Sequence, residues 1–303
     1  MPEFDFHNKK LCERFYLHTQ TALERSNGTV ASENSKTLYY RLSRYRRLLG
    51  DFELAEHFSL RNLEISRSLF GENHEEVGTS LNNLALVYWE QMRYDEAITS
   101  YTEVINIYKK TLGDFHEWVA IALSNLALVY RAKGRNEESI TLYEQALKID
   151  EMTIGISHPT YAIHLNNLAN VYQILHKYEE SIILYQKALE IDEKTVGDQH
   201  PSYAVRLNNL GRAYYYKKDF NSSIKCHFKA LKIRQKNFTE DHPETAQSYW
   251  WLGILGFSQN KYEEAYFLFE KAYEIRREHL GESHPDTKDA LTYLLKCKDG
   301  VKF

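Results

Sequence analysis

A histidine returns every 42 residues through most of this chain, as His74, His116, His158, His200, His242 and His284. A second phrase keeps the same step: Leu81-Asn82-Asn83-Leu84-Ala85, Leu123-Ser124-Asn125-Leu126-Ala127, Leu165-Asn166-Asn167-Leu168-Ala169 and Leu207-Asn208-Asn209-Leu210-Gly211. Two independent phrases with one period describe a repeat array. Repeated units bury their apolar faces only on their neighbours, so the product is an elongated solenoid, read here as one domain, whose long surfaces suit the gripping of partners.

Each unit reads as a helical hairpin. Leu81, Leu84, Ala85 and Tyr88 follow the i, i+3, i+4, i+7 spacing of one helical face, giving a helix A from about Val77 to Gln91. After the break at Met92-Arg93 the stripe Tyr94, Ala97, Ile98, Tyr101, Ile105 and Tyr108 marks a helix B that ends near Gly113. Gly113, Gly155, Gly197 and Gly281 stand where a helix end favours positive φ. Pro159, Pro201, Pro243 and Pro285 stand in the first turn of the next helix A, where a missing N–H does no harm. Small residues recur at Ala85, Ala127, Ala169, Gly211 and Gly253, and at Ala97, Ser139, Ser181, Ser223 and Ala265. They permit close helix crossing, with Tyr88, Tyr130, Tyr172 and Tyr214 expected to fill the space alongside.

These phrases, with the Tyr178-Glu179-Glu180-Ser181-Ile182 opening of helix B and Ala188-Leu189-Glu190-Ile191, carry a resemblance over residues 36–300. The chain resembles the tetratricopeptide-repeat (TPR) proteins, in the 42-residue form of kinesin light chains. The resemblance implies an all-α, right-handed superhelical solenoid of tandem helix-turn-helix repeats. Residues 1–35 are expected to hold an N-terminal helix, Phe6 to Arg25, and a loop running from Ser26 through Glu33-Asn34. Residues 36–283 are expected to form six TPR units, the first atypical, and residues 284–303 a C-terminal capping helix. No heptad coiled coil of the kind that joins light chains to the motor precedes the repeats, so motor attachment is not expected.

Composition narrows the partners. A formal charge of −4 over 303 residues lacks the basic excess that phosphate neutralisation requires, which argues against nucleic acid. Cys12, Cys226 and Cys297 show neither CxxC spacing nor an even framework, as in a reducing compartment, so no disulfide, zinc site or other cofactor is expected. The N-terminus lacks the basic and apolar segments of a secretory signal, and no apolar run approaches the roughly 20 residues that span a bilayer. The expectation is a cytoplasmic protein without membrane insertion.

Catalysis is not expected either. Equivalent points on successive helix pairs lie about 10 Å apart or more, too far for the recurring histidines to share a metal, and they read as linker-packing residues. Glu137-Glu138, Glu179-Glu180 and Glu263-Glu264 open helix B, where negative charge complements the macrodipole. No phosphate loop, GxSxG or HExxH motif occurs.

At 100° per residue, Thr79, Asn82, Asn83, Leu86 and Trp89 fall opposite the apolar stripe of helix A. The resemblance implies that this side lines the concave groove. Asn is a mediocre helix former, and its repeated use mid-helix answers a need for a side chain that both donates and accepts, as an extended peptide backbone does. The same amides could instead bond to one another and tie repeats together. The resemblance implies the ligand role for the ladder Asn83, Asn125, Asn167 and Asn209.

The peptide-binding residues expected are Asn82, Asn83, Asn125, Arg131, Asn166, Asn167, Asn170, Asn208, Asn209, Arg212, Tyr215 and Trp250. Arg41, Arg44, Arg47, Arg131 and Arg212 supply charge, and Trp89, Tyr215, Trp250, Trp251 and Phe257 supply aromatic surface, so acidic peptides with an apolar anchor fit best. Trp251 could equally pack beneath the capping helix. The leading reading is a non-enzymatic, monomeric peptide- or protein-binding adaptor. Alternatives are a self-associating scaffold using Phe4, Phe6, Phe15 and Tyr16, or a bacterial effector or regulator with a kinesin-light-chain-like cargo groove.

Overall fold

The computed structural model describes residue 21 and residues 32–300. Of the expected helix Phe6 to Arg25 only residue 21 is among the described residues, so that expectation lies outside them with Phe4, Phe6, Phe15 and Tyr16, as do 301–303. The chain divides at Ile154/Gly155 into two compact units. In the first, the hairpins are α1 (Glu33–Leu48) with α2 (Phe52–Phe70), α3 (Glu75–Glu90) with α4 (Tyr94–Leu112), and α5 (Glu117–Ala132) with α6 (Asn136–Thr153). In the second they are α7 (Pro159–Ile174) with α8 (Tyr178–Thr195), α9 (Pro201–Tyr216) with α10 (Phe220–Asn237), and α11 (Pro243–Ser258) with α12 (Tyr262–Leu280), followed by α13 (Pro285–Gly300). Odd-numbered helices up to α11 are the A helices. The architecture is all-α, a tandem array of helix-turn-helix units, and within each compact unit every helix packs on the next.

The histidine period has a cause that the spacing alone does not reveal. Each is the N-cap of an A-type helix: His116 Nδ1 accepts the N–H of Trp118, and His158 Nδ1 that of Thr160, each at 3.2 Å. His74, His200, His242 and His284 do the same two residues on. These rings satisfy one of the N–H groups that a helix start leaves without an intrahelical partner, a more specific role than linker packing. The cap also explains why α3 begins at Glu75, two residues before Val77. In α1 the same duty falls to Ser32, whose hydroxyl accepts from the N–H of Ser35, so Glu33 and Asn34 are first-turn helix and not loop.

The A-to-B turns share one backbone. Arg93 N donates to Tyr88 O at 2.8 Å and Lys177 N to Tyr172 O at 2.9 Å, across a residue of positive φ. Gly134 occupies that position at φ 76°, whereas Met92 holds it at φ 60°, where a Cβ is disfavoured. Tyr88 and Tyr130 clasp this turn, each beneath a guanidinium at 4.4 Å, Arg93 and Arg135 respectively. They also pack, partly buried, on the core that holds Ala85 and Ala97, as the sequence suggested. Over the small position itself lies a helix B aromatic: a Cβ on Gly253 would meet Phe269 at 2.8 Å. Small hydroxyls fasten the same crossing, with Ser139 Oγ donating to Ala127 O at 2.8 Å and Ser223 Oγ to Gly211 O at 2.7 Å.

Repeat-to-repeat contacts are not interchangeable. Ser66 meets Ser80 across α2 and α3 at 2.7 Å, while the corresponding place between α8 and α9 holds a buried ion pair, Arg206 to Asp192 at 3.0 Å. Between α10 and α11 it holds Arg234, only 1% exposed, against Ser248 and Glu244 at 2.8 Å each.

Candidate functional site

The A helices turn their apolar stripe into each hairpin: Leu81, Leu84 and Ala85 of α3 and Leu165, Leu168 and Ala169 of α7 are buried. The opposite face leaves β-branched residues open, Ile121 at 39% in the first unit and Ile163 at 48% and Val205 at 43% in the second. Beside them lie the asparagines.

In the first unit Asn125 Nδ2 donates to Asn82 Oδ1 at 3.1 Å, joining α5 to α3. In the second, Asn209 Nδ2 donates to Asn166 Oδ1 at 3.0 Å, joining α9 to α7. The same bond thus recurs in both units. It uses one N–H and one lone pair of each pair, and an amide offers two donors and two acceptor sites. The remaining capacity stays on a half-buried face. Asn83 has no hydrogen-bond partner among the described residues, and Asn167 Oδ1 has only a 3.4 Å contact from Asn166 Nδ2. The ladder therefore ties neighbouring repeats together and still presents donors and acceptors.

Asn208 behaves differently although it belongs to the same phrase. It is 2% exposed, and its amide lies with Oδ1 toward the Arg234 guanidinium and Nδ2 donating to His227 Nδ1 at 3.0 Å, the orientation in which a carbonyl meets the cation. A buried amide held from two sides cannot reach a ligand. Asn170 is intermediate: its Oδ1 accepts the Tyr185 hydroxyl at 2.7 Å, with Gln173 Oε1 3.1 Å from the same hydroxyl.

The basic residues divide likewise. Arg47 is held by Glu90 through two bonds, at 2.7 and 2.8 Å, which link α1 to α3 and neutralise it. Arg131 and Arg212 have no ion pair among the described residues. Burial raises the Tyr143 pKa, opposed by the Arg131 charge nearby, and the Tyr143 hydroxyl has no hydrogen-bond partner among the described residues. Arg212 lies 5.7 Å over the Trp251 ring, with its Nε buried and lacking an acceptor among the described residues. The Trp89 indole N–H is another buried donor without one. Unpaired buried donors are uncommon and call for an acceptor from elsewhere.

Trp250 and Trp251 exchange the roles that the sequence suggested. Trp250 packs at 5.2 Å from both Phe269 and Tyr293 of α13, with Arg276 at 4.8 Å over its ring, so it seats the last helix. Trp251 instead stands over α9, stacked on His227 at 5.6 Å and edge-on to Tyr215 at 5.9 Å. The signal was available, since Trp251 lies one period after Asn209 and so occupies the ladder position of its own repeat.

Tetratricopeptide-repeat family models match residues 35–110, 77–152, 160–236 and 217–278, and another such model matches residues 124–194. The chain belongs to the tetratricopeptide-repeat family. Among solved structures, this TPR chain is similar to BtubC (BKLC) from P. vanneervenii at 26% identity and TM-score 0.67, over 77% of this chain and 94% of that one. It is also similar to the nearly identical TPR-like repeats of a Podosopora anserina protein described as a kinesin light chain, at 26% identity and TM-score 0.58, over 68% of this chain and 97% of that one. The apo form of RapI shares the fold at 12% identity and TM-score 0.61, over 88% of this chain and 98% of that one. No match is found among curated protein sequences. The TPR repeats are thus of the kinesin-light-chain-like type, a fold whose general use is protein interaction.

Proposed function

We propose that this TPR protein is a non-enzymatic, cytoplasmic adaptor that holds an extended, acidic peptide with an apolar anchor against the A-helix faces. The observation that carries the reading is the repeated amide pair, Asn82 with Asn125 and Asn166 with Asn209, beside the open side chains Ile121, Ile163 and Val205. An extended peptide alternates N–H and C=O groups, and half-satisfied amides at regular intervals complement that alternation. Each such bond contributes about 0.5–1.5 kcal/mol net, which positions a main chain without selecting its sequence.

Selectivity comes from cations that the wall leaves unpaired. Arg131 and Arg212 pair with no carboxylate among the described residues, in contrast to Arg47, and a ligand carboxylate would form charge-assisted bonds with them. Asn83, Asn125 and Arg131 serve the first unit, and Asn166, Asn167, Asn170, Asn209, Arg212 and Tyr215 the second. Asn208 and Trp250 support the wall.

A peptide array is the direct test. Acidic peptides carrying one Leu or aromatic residue should bind, and their Asn- and Gln-substituted counterparts should bind more weakly. Indifference to that substitution would remove the acidic specificity, and absence of binding across the array would remove the adaptor reading.

A further inference from the structure

Two B helices of the second compact unit turn outward faces of opposite charge. On α10, Lys225, Phe228, Lys232 and Lys236 keep the i, i+3, i+7, i+11 spacing of one helical face, and all four are exposed, Phe228 by 49%. The helix contains no Asp or Glu. One period later the same four positions of α12 are Phe267, Glu270, Glu274 and Glu278, with Phe267 63% exposed. On α8 they are Ile183, Gln186, Glu190 and Lys194, with one charge of each sign. The separation of charge is therefore a property of α10 and α12, not of the repeat.

Neither face is neutralised within its own chain. Lys225, Lys232 and Lys236 make no ion pair among the described residues, whereas Lys229 pairs with Asp198 at 3.2 Å. Lys232 lies 4.7 Å over the Phe228 ring, so cation and aromatic are presented together. Glu274 and Glu278 also make no ion pair among the described residues, and Glu270 accepts the Tyr266 hydroxyl at 3.2 Å. Beside Glu274 and Glu278 a cavity of about 180 Å³ adds the carboxylates of Glu240 and Asp241, with Lys271 among them. The two helices are neighbours, since Leu231 of α10 shares a buried cluster with Ala272 and Ile275 of α12.

We propose that these outward faces form a two-fold interface with a second copy of this chain, the lysines of each α10 lying on the glutamates of the other α12. Successive hairpins repeat one another, so α10 and α12 run the same way with corresponding positions level. A two-fold axis between them and parallel to both lays α10 of one copy on α12 of the other, and does so twice. Lys232 then meets the partner's Glu274, Lys236 meets the partner's Glu278, and the stem of Lys225 covers the partner's Phe267. An axis across the helices would instead set lysine on lysine. Two helix faces side by side bury roughly 800–1,000 Å² in total, the size of a weak, reversible contact that complementary charge steers at low salt. The monomer expected from the sequence is thereby one side of an equilibrium. The interface uses B helices, so it neither needs nor obstructs a peptide on the A-helix faces.

Sedimentation velocity of the full chain over a concentration series, at low and at high ionic strength, tests this with two charge reversals at exposed positions. Wild type should show a monomer–dimer equilibrium that weakens as salt is added. Lys232→Glu alone and Glu274→Lys alone should each weaken it by about tenfold or more, because both copies of the contact then oppose like charges, with the melting temperature unchanged. An equal mixture of the two variants should dimerise as wild type does, since each reversed side chain meets one of opposite sign in the mixed pair. A wild type that stays monomeric at low salt overturns the interface. So does a dimer that either reversal leaves intact, which would place the contact elsewhere on the chain, or a mixture that remains monomeric.

Discussion

His227 lies against Gly211 so closely that a methyl group on the glycine would come within 2.6 Å of the imidazole Nε2. The ring is fully buried, stacked on Trp251, and flanked by the Arg234 and Arg212 charges. It is therefore held neutral. The unfolded chain takes up a proton near pH 6.5 that the folded chain refuses until about 3, so the stability tied to the neutral ring is complete above 6.5 and is lost as pH falls through that window. The slope from this one group is about 1.4 kcal/mol per pH unit. His227→Phe, which copies Phe269 of the next repeat, should lose less stability on acidification than wild type. Urea denaturation from pH 7 to 4 measures the difference, and parallel curves would contradict the account.

The recurring histidines cap helices, and removing one should cost what a cap is worth. His116→Ala should lower stability by about 1 kcal/mol, while His116→Asp, which supplies another side-chain acceptor, should largely restore it. Equal loss in both variants would show that the ring matters for packing and not for its Nδ1.

Arg206 and Asp192 form a buried pair, with side chains 7% and 2% exposed, and Ser202 Oγ adds a bond to the same carboxylate at 3.1 Å. Burial lowers the Arg206 pKa and Asp192 opposes that shift, as expected of a cation that depends on its partner. Asp192→Ala should cost about 3–5 kcal/mol by stranding the guanidinium, whereas Asp192→Leu with Arg206→Met should be near neutral. Chemical denaturation distinguishes the two, and a harmless single substitution would refute the coupling.

The hairpins were legible because a period repeated six times multiplies a weak local signal: the stripe Leu81, Leu84, Ala85, the turn at Met92 and breakers such as Gly113 and Pro159 recur in most copies, and the copies that lack one keep the others. The site was legible only as a face. Asn166 and Asn208 sit in the same phrase, yet one bonds along the wall and the other sinks into it, because His227 and Arg234 on a different helix decide the outcome. The same applies to Arg47, whose charge is taken by Glu90 from the next repeat. Trp250 and Trp251 are adjacent and both half-buried, and it is the ring of Trp250 that meets Tyr293 of α13. One irregularity did stand in the sequence unread: His227 breaks the column Tyr101, Tyr143, Tyr185, and the break coincides with Arg212 and Trp251.

The central claim is that half-satisfied amides on the A helices hold a ligand's main chain. Asn83 has no partner among the described residues and Asn167 only a 3.4 Å contact, so these two can be removed without cutting a repeat-to-repeat bond. Calorimetry of the Asn83→Ala, Asn167→Ala variant with an array-selected acidic peptide, alongside a thermal melt, tests this most directly. The account predicts about tenfold weaker binding, from two lost bonds of about 0.5–1.5 kcal/mol each, with an unchanged melting temperature. Undiminished affinity, or a fall in melting temperature that accounts for the loss, would contradict it.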